Sequence, residues 1–444
     1  MNSNTKEPFI HITRRKEMPW FRSMIIRLIA IVIALILCAV ITALTTDLNP
    51  VSVYEAMFEG SFGSERKMWV LGKELAVLLM ISVALAPAFK MKFWNLGAEG
   101  QVLIGTLATA ACMLKLKSYI PGAGLILVAL IAAVAAGAIW AFIPAVFKAR
   151  WNTNETLFTL MMNYVATQLV AYYVIIWESP KGSGNVGIIN STGKEGWLPT
   201  IGGQKYLLVI LVAVIVTVGM YIYLRYSKHG YELTVVGESV NTAKYVGIKV
   251  NSVIRRTMLL SGAVCGLAGF LIVAGLDHTI TTTLAGGRGF LGVMVAWLAH
   301  FNPISMVLSS LLLVFMEKGA GEISTAYGLN QSFGDILTGI ILFFVIGSEF
   351  FINYKIHFRG KAKESTGTRY ASSGTAPAAV RETAADEAVT EAEQVIEEAK
   401  EAISDIETEE IETEKTISET IEEIKEDMNA IVNTEDEGKE EEDA

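Results

Sequence analysis

Asn95-Leu-Gly-Ala-Glu-Gly-Gln101 places two amides, a carboxylate and two glycines between two long apolar runs. A charge near the centre of a bilayer costs about 3 kcal/mol on insertion scales, so polar side chains kept there need partners or water. Glycines permit a broken backbone at such a point, and Asn95, Glu99 and Gln101 could then line a polar route for a solute. An exposed loop accounts for the same spacing.

A second candidate heads another apolar run, Asn154-Glu155-Thr-Leu-Phe-Thr-Leu-Met-Met-Asn163-Tyr164. Asn154 is placed to cap a helix, and Glu155 in its first turn suits the helix dipole. Asn163 falls about two turns deeper, where its amide must bond another helix or face the same polar route. The third candidate is Gly237-Glu-Ser-Val-Asn-Thr-Ala-Lys-Tyr-Val-Gly-Ile248. Residues 239–246 make about two turns of helix, ended by Gly247, with Ala243 and Val246 on a small apolar patch amid charge. Such a helix suits docking into a groove on another protein, and an ordinary loop helix has the same pattern.

Other chemistries lack their residues. The phosphate loop of an ATPase needs G-x-x-x-x-G-K-[ST], yet Lys73, Lys194, Lys361 and Lys439, each preceded by glycine, are followed by Glu or Ala. ATP hydrolysis by that route is excluded. Gly287-Arg-Gly-Phe-Leu-Gly292 matches G-x-G-x-x-G, but it opens an apolar run with no βαβ unit around it, which argues against dinucleotide binding. His11, His229, His278, His300 and His357 have no metal-ligand spacing, and Cys38, Cys112 and Cys265 each lie inside an apolar run, so no metal site and no disulfide framework are expected.

The elements that hold these groups must be membrane helices. Hydrophobic residues make up 52% of the chain and charged ones 18%, with a mean hydropathy of +0.44, which rules out a water-soluble globule for most of its length. A bilayer core about 30 Å thick takes roughly 20 apolar residues per helix, because backbone groups in lipid must pair within the segment. Runs at about 24–45, 69–89, 96–114, 122–147, 155–177, 206–226, 257–276, 289–300, 304–318 and 333–353 qualify, giving an all-α polytopic bundle of about eight to ten spans. The runs at 289–300 and 304–318 are short, and Asn302-Pro303 between them reads as a break between two half-length or tilted helices. Small residues crowd 130–138 and 261–269, as in tightly packed membrane helices.

Lys6, Arg14, Arg15, Lys16, Arg22 and Arg27 precede the first run, and Lys355, Arg359, Lys361 and Lys363 follow the last. Both ends are therefore expected in the cytoplasm, with an even number of spans between them. On the same count Lys148 and Arg150, then Lys228, Lys244, Lys249, Arg255 and Arg256, fall inside, and residues 178–205 fall outside. The first run has no small-residue cleavage site after it and reads as a retained signal anchor. The net charge of −9 hides an asymmetry: residues 371–444 carry 26 Asp+Glu against 5 Lys+Arg, whereas residues 1–370 are at +12. Ile396, Ala399, Ile403 and Ile406, then Ile417, Ile421, Ile424, Met428 and Ile431, are spaced three and four apart, so the tail is an amphipathic helix or weak coiled coil, or else disordered. The expected organisation is a cytoplasmic segment 1–23, a transmembrane domain 24–355 and an acidic cytoplasmic tail 356–444.

NLGAEGQ at 95–101, NE…TLMMNY at 154–164, G…AKYVGI at 237–248 and GGRGFLGVMVAWL…NP at 286–303 together resemble the permease subunits of bacterial ATP-binding-cassette importers for nucleosides and simple sugars. This is the group that works with basic-membrane-protein lipoproteins, and the similarity covers about residues 20–355. It implies a helix bundle that passes a solute delivered by an external binding lipoprotein, most concretely a nucleoside, with a ribose- or galactose-type sugar as the alternative. It implies no catalysis and no cofactor in this chain; ATP and Mg are bound by a separate ATPase subunit. A second related permease, as heterodimer or homodimer, completes the expected assembly in the bacterial plasma membrane, without nucleic acid. Family members couple to the ATPase through a cytoplasmic helix, and the matching positions are Gly237, Ala243, Tyr245, Gly247 and Ile248. Asn95, Glu99, Gln101 and Asn163 are the candidates for the path. Ser239 and Val240 replace the usual Asn-Pro and Thr242 a usual Ala, coupling differences that bear on partner choice and do not suggest lost coupling, and Trp297-Leu-Ala-His300 is bulkier than usual. An ATP-independent facilitator, or a scaffold recruiting partners through the tail, are the readings of other classes.

Overall fold

The computed structural model describes residues 10–15, 20–46, 48–120 and 122–358. The acidic tail, and with it the choice between helix and disorder, lies outside the described residues. Among the described residues, eight helices are long and apolar enough to cross a membrane. They are α1 (Trp20–Thr45), α3 (Glu65–Lys90), α5 (Ala123–Trp151), α6 (Glu155–Trp177), α7 (Leu207–Tyr226), α10 (Val250–Leu271) with its π-helical continuation Ile272–Asp277, α12 (Pro303–Tyr327) and α13 (Gln331–Asn353). Shorter helices stand between them: α2 (Pro50–Phe62), α4 (Ala98–Lys115), α8 (Lys228–Glu238), α9 (Val240–Tyr245) and α11 (Arg288–Leu298).

Helix starts follow local chemistry. The Asn154 side chain accepts from the N–H groups of Thr156 and Leu157 at 3.1 and 3.2 Å, the expected cap of α6, and Glu155 beside it pairs with Lys148 at 2.8 Å. Asn302 accepts from Ile304 N–H at 3.1 Å with Pro303 at the first helical position, so the Asn-Pro break is where α12 begins. In α2, not expected from hydropathy, Asn49 caps Val51 at 3.0 Å and Val53, Ala56 and Met57 face inward.

Two expectations change. The run at 96–114 is α4, eighteen residues carrying Glu99, Gln101, Thr106 and Thr109, and it is too polar to stand among the eight apolar spans. The pair at 289–318 is not two half-length helices: α11 has 11 residues, but α12 has 25 and continues to Tyr327. Hydropathy stops at Glu317-Lys318 because charge begins there, yet Lys318 and Glu322 reach ion-pair partners and the helix goes on. The bundle itself is all-α as expected, with one short ribbon outside its helices. β1 (Ile10–Arg14) pairs antiparallel with β2 (Tyr354–Phe358), Ile10 opposite Phe358 and Arg14 opposite Tyr354. Each strand is only five residues long beside a charged flank, too short for alternation to stand out in the sequence. The ribbon puts both ends of the described bundle on one face, as an even number of crossings requires.

The small-residue runs pack on each other. At the crossing of α5 and α10, a methyl on Gly266 would run into the Ala133 carbonyl, so the two backbones meet with nothing between them. Buried side chains fall into two clusters. One is built from α3 to α11 and the first half of α12; the other joins Ala34 and Cys38 of α1, Met57 of α2, Met316 and Ile323 of α12, and Leu337 and Ile341 of α13.

Candidate translocation and coupling sites

The chain leaves α3 and turns through Met91–Gly97 before α4, and this turn is pinned by amides. Asn95 Oδ1 accepts from Gly97 N–H at 3.0 Å and from Gln101 Nε2 at 3.1 Å, while its Nδ2 donates to Ser261 Oγ in α10 at 3.3 Å. Asn163 of α6 accepts from Gly100 N–H and donates to Leu96 O, both at 2.8 Å. Gly100 must lack a side chain, since a Cβ there would stand 2.9 Å from Asn163 Oδ1. Glu99 reaches the other way. Its carboxylate accepts from Gly287 N–H at 2.8 Å and from Gly289 N–H at 2.7 Å, closing the start of α11, whose own N-cap glycine has no side chain to do so.

Asn95, Glu99, Gln101 and Asn163 are thus brought to one place, with Asn95, Gln101 and Asn163 buried and their polar atoms directed at protein groups. Gln101 Oε1 has no hydrogen-bond partner among the described residues. The arrangement fixes where α4 and α11 sit relative to α6 and α10. The glycines of G-x-G-x-x-G serve the same packing: Gly287 and Gly289 offer N–H groups to Glu99, and Gly292 lets α11 approach Ile81 and Leu85 of α3.

A charged cluster was not read from the sequence. Glu74 in α3 is buried and receives Arg288 Nη2 from α11 at 2.6 Å, Lys318 Nζ from α12 at 3.3 Å and Lys73 Nζ at 3.5 Å. Lys73 also approaches Asp277 at 3.8 Å. One carboxylate therefore serves cations from three helices. Each of these residues lies at or near the border of an apolar run, where a charge looks like an ordinary flank; their convergence exists only in three dimensions.

On the face holding the ends of α3, α7 and α10 stand α8 and α9. Ser239 Oγ caps α9 through Thr242 N–H at 3.2 Å, and Gly247, at φ 80°, ends it with Ile248 N–H donating to Ala243 O at 2.9 Å. This is the two-turn helix expected at 239–246. Of the expected patch, Val246 is presented but Ala243 is buried against the bundle, and Val240 and Tyr245 are presented with Val246, Tyr245 being 96% exposed. Gly237 sits where a methyl would strike the Lys90 carbonyl at the end of α3, so α8 is braced directly on that span. Ile248 packs partly buried against the main core.

At the other face residues 178–206 fold onto the mouth of the bundle. Asn190 Nδ2 donates to Met113 O and Glu195 O, both at 2.9 Å, and Leu198 N–H donates to Ala274 O at 2.9 Å in the π-helical turn. Trp197 stacks on His278, centroids 3.6 Å apart, and His278 O accepts from Ile189 N–H at 2.8 Å. Burial beneath that ring, with Lys205 nearby, lowers the His278 pKa to about 4, against the opposing bond to Val273 O.

Residues 74–346 match the family described as branched-chain amino acid transport system / permease component. The guanosine ABC transporter permease protein of Bacillus subtilis is 32% identical, over 77% of this chain and 97% of its own. The glucose ABC transporter permease protein of Haloferax volcanii is 28% identical over 70% and 84%, and the nucleoside ABC transporter permease protein of Lactococcus lactis is 26% identical over 73% and 91%.

Proposed function

The chain belongs to the branched-chain amino acid transport system / permease component family, and on that premise we propose that it is the membrane-spanning subunit of an ATP-binding-cassette importer for nucleosides. The observation that carries the coupling part is α9: a short capped helix, braced through α8 on the end of α3, that offers an almost fully exposed Tyr245. An ATPase seated there pushes on α3 and α10 through the bundle's own packing, and nucleotide-driven closure switches the path between outward- and inward-open states. ATP and Mg belong to that partner. The face carrying α9 and both termini are cytoplasmic in this reading, and residues 178–206 face the external binding lipoprotein.

Asn95, Glu99, Gln101 and Asn163 act on the path by fixing α4 and α11 as its wall. A second related permease, most simply as a heterodimer, completes the pathway. A simple sugar is the second cargo reading, favoured by the glucose permease of Haloferax volcanii.

The test is purification of the tagged chain from membranes with identification of co-purifying proteins, followed by uptake of labelled guanosine and glucose. A co-purifying ATPase with ATP-dependent guanosine uptake is expected. A folded preparation that transports without any ATPase overturns the importer reading in favour of a facilitator.

A further inference from the structure

Helix α11 does not fit a lipid environment. Its 11 residues reach about 16 Å, roughly half the hydrocarbon core. It nevertheless runs beside the middle of α3, where a methyl on Gly292 would lie 3.1 Å from Ile81 and 3.5 Å from Leu85. Backbone on both sides is irregular: residues 278–287 before it and 299–302 after it, with His300 and Phe301 at left-handed φ of 49° and 59°. Non-helical backbone at membrane depth is tolerated where protein covers it or water borders it, and not against lipid.

One face of α11 is buried through Gly289, Gly292, Val295 and Ala296. The opposite face carries Phe290, Met294 and Trp297, four and three residues apart and 45%, 40% and 48% exposed. Trp94, 42% exposed, extends it by stacking on Trp297 with centroids 5.3 Å apart. The face adjoins a cavity of about 600 Å³, within the usual size of small-molecule sites, with His300, Glu349 and Tyr354 among its lining residues. By contrast, the exposed stripe of α7, which meets all that a lipid-facing helix requires, is aliphatic from Leu211 through Val214, Ile215 and Val218 to Ile222.

We propose that this face of α11 borders the translocation path and that Phe290, Trp297 and Trp94 hold the flat base of a nucleoside in transit by stacking. The inference rests on the permease reading above and deepens it, because it states which part of the solute is recognised. Rings favour offset or edge contacts with other rings beyond the area they bury, and a free hexose has no ring π system to offer.

The experiment uses the complex with its partner chains in proteoliposomes. In a background with Cys38, Cys112 and Cys265 replaced by Ala, Phe290→Cys, Trp297→Cys and, on α7, Ile215→Cys are exposed to a charged, membrane-impermeant thiol reagent from each side, with or without guanosine. Labelling at 290 and 297 but not at 215, slowed by guanosine and not by ribose, is expected. In the unaltered background Trp297→Leu should raise the KM for guanosine about three- to tenfold with ATP hydrolysis retained, and Trp297→Phe should recover most of it. Inert thiols at 290 and 297 place lipid or a second permease on this face and overturn the inference, as does labelling that guanosine leaves unchanged. Absence of guanosine uptake by the unaltered complex overturns the cargo reading itself, which separates the two failures.

Discussion

Arg288, the first residue of α11, donates to Glu74 of α3 at 2.6 Å, so the helix too short to cross a membrane is held by charge to one that crosses it. Lys318 shares the same carboxylate from α12, 3.3 Å away. The relationship decides what removing either partner will do.

Glu74→Gln should be strongly destabilising, by about 3–5 kcal/mol, because it leaves Arg288, Lys318 and Lys73 gathered around a neutral amide. The thermal midpoint of the detergent-purified complex reads it. Combining Glu74→Gln with Lys318→Met should recover part of the loss, since neighbours in one network are not additive. An unchanged midpoint in the single variant would mean that the cluster is solvated and idle.

Glu99→Ala orphans the N–H groups of Gly287 and Gly289, at a cost of about 1–3 kcal/mol for each buried donor left unmatched. Solute uptake should fall while ATP hydrolysis by the assembled complex persists. Glu99→Gln, which keeps one carbonyl acceptor, should fall between the two; wild-type uptake in Glu99→Ala would remove this contact from the mechanism.

Tyr245→Ala touches an almost fully exposed ring and should change the midpoint by under about 0.5 kcal/mol equivalent. It should nevertheless weaken association with the ATPase at least about tenfold, as loss of a central aromatic anchor does. Gly237→Ala, which collides with the Lys90 carbonyl, should disturb stability and coupling together. Equal ATPase recovery with the wild-type chain and Tyr245→Ala would place the partner elsewhere.

His278 gives a pH dependence. Its folded pKa, about 4, lies below the usual value near 6.5, so between those values the unfolded state binds the extra proton. The docking of residues 186–200 should be fully stable above about pH 6.5 and should weaken as pH falls toward 4. Protection factors of that segment, taken relative to the intrinsic exchange rate at each pH, should fall across this window and should not do so in His278→Gln.

Hydropathy places most spans, because it depends on composition over twenty residues. Capping also reads locally: Asn154, Ser239 and Asn302 do what their positions announce. What does not read locally is pairing. Asn95, Glu99, Gln101 and Asn163 belong together, but only packing reveals that their polar atoms face one another and the glycines of α11. Glu74 and Arg288 are 214 residues apart. Val246 is presented as expected but Ala243 turns inward, because a six-residue helix has too few turns for periodicity to fix which side meets the bundle.

The division of buried side chains into two clusters has a mechanical consequence. Among the buried side chains, those of α12 are divided between the two: Leu313 and Val314 in the larger, Met316 and Ile323 in the smaller. That helix is therefore a common axle. If α1, α2 and α13 swing relative to the rest, the stretch of α12 between Val314 and Met316 is where the pivot falls on that helix, two residues before the lysine that grips Glu74.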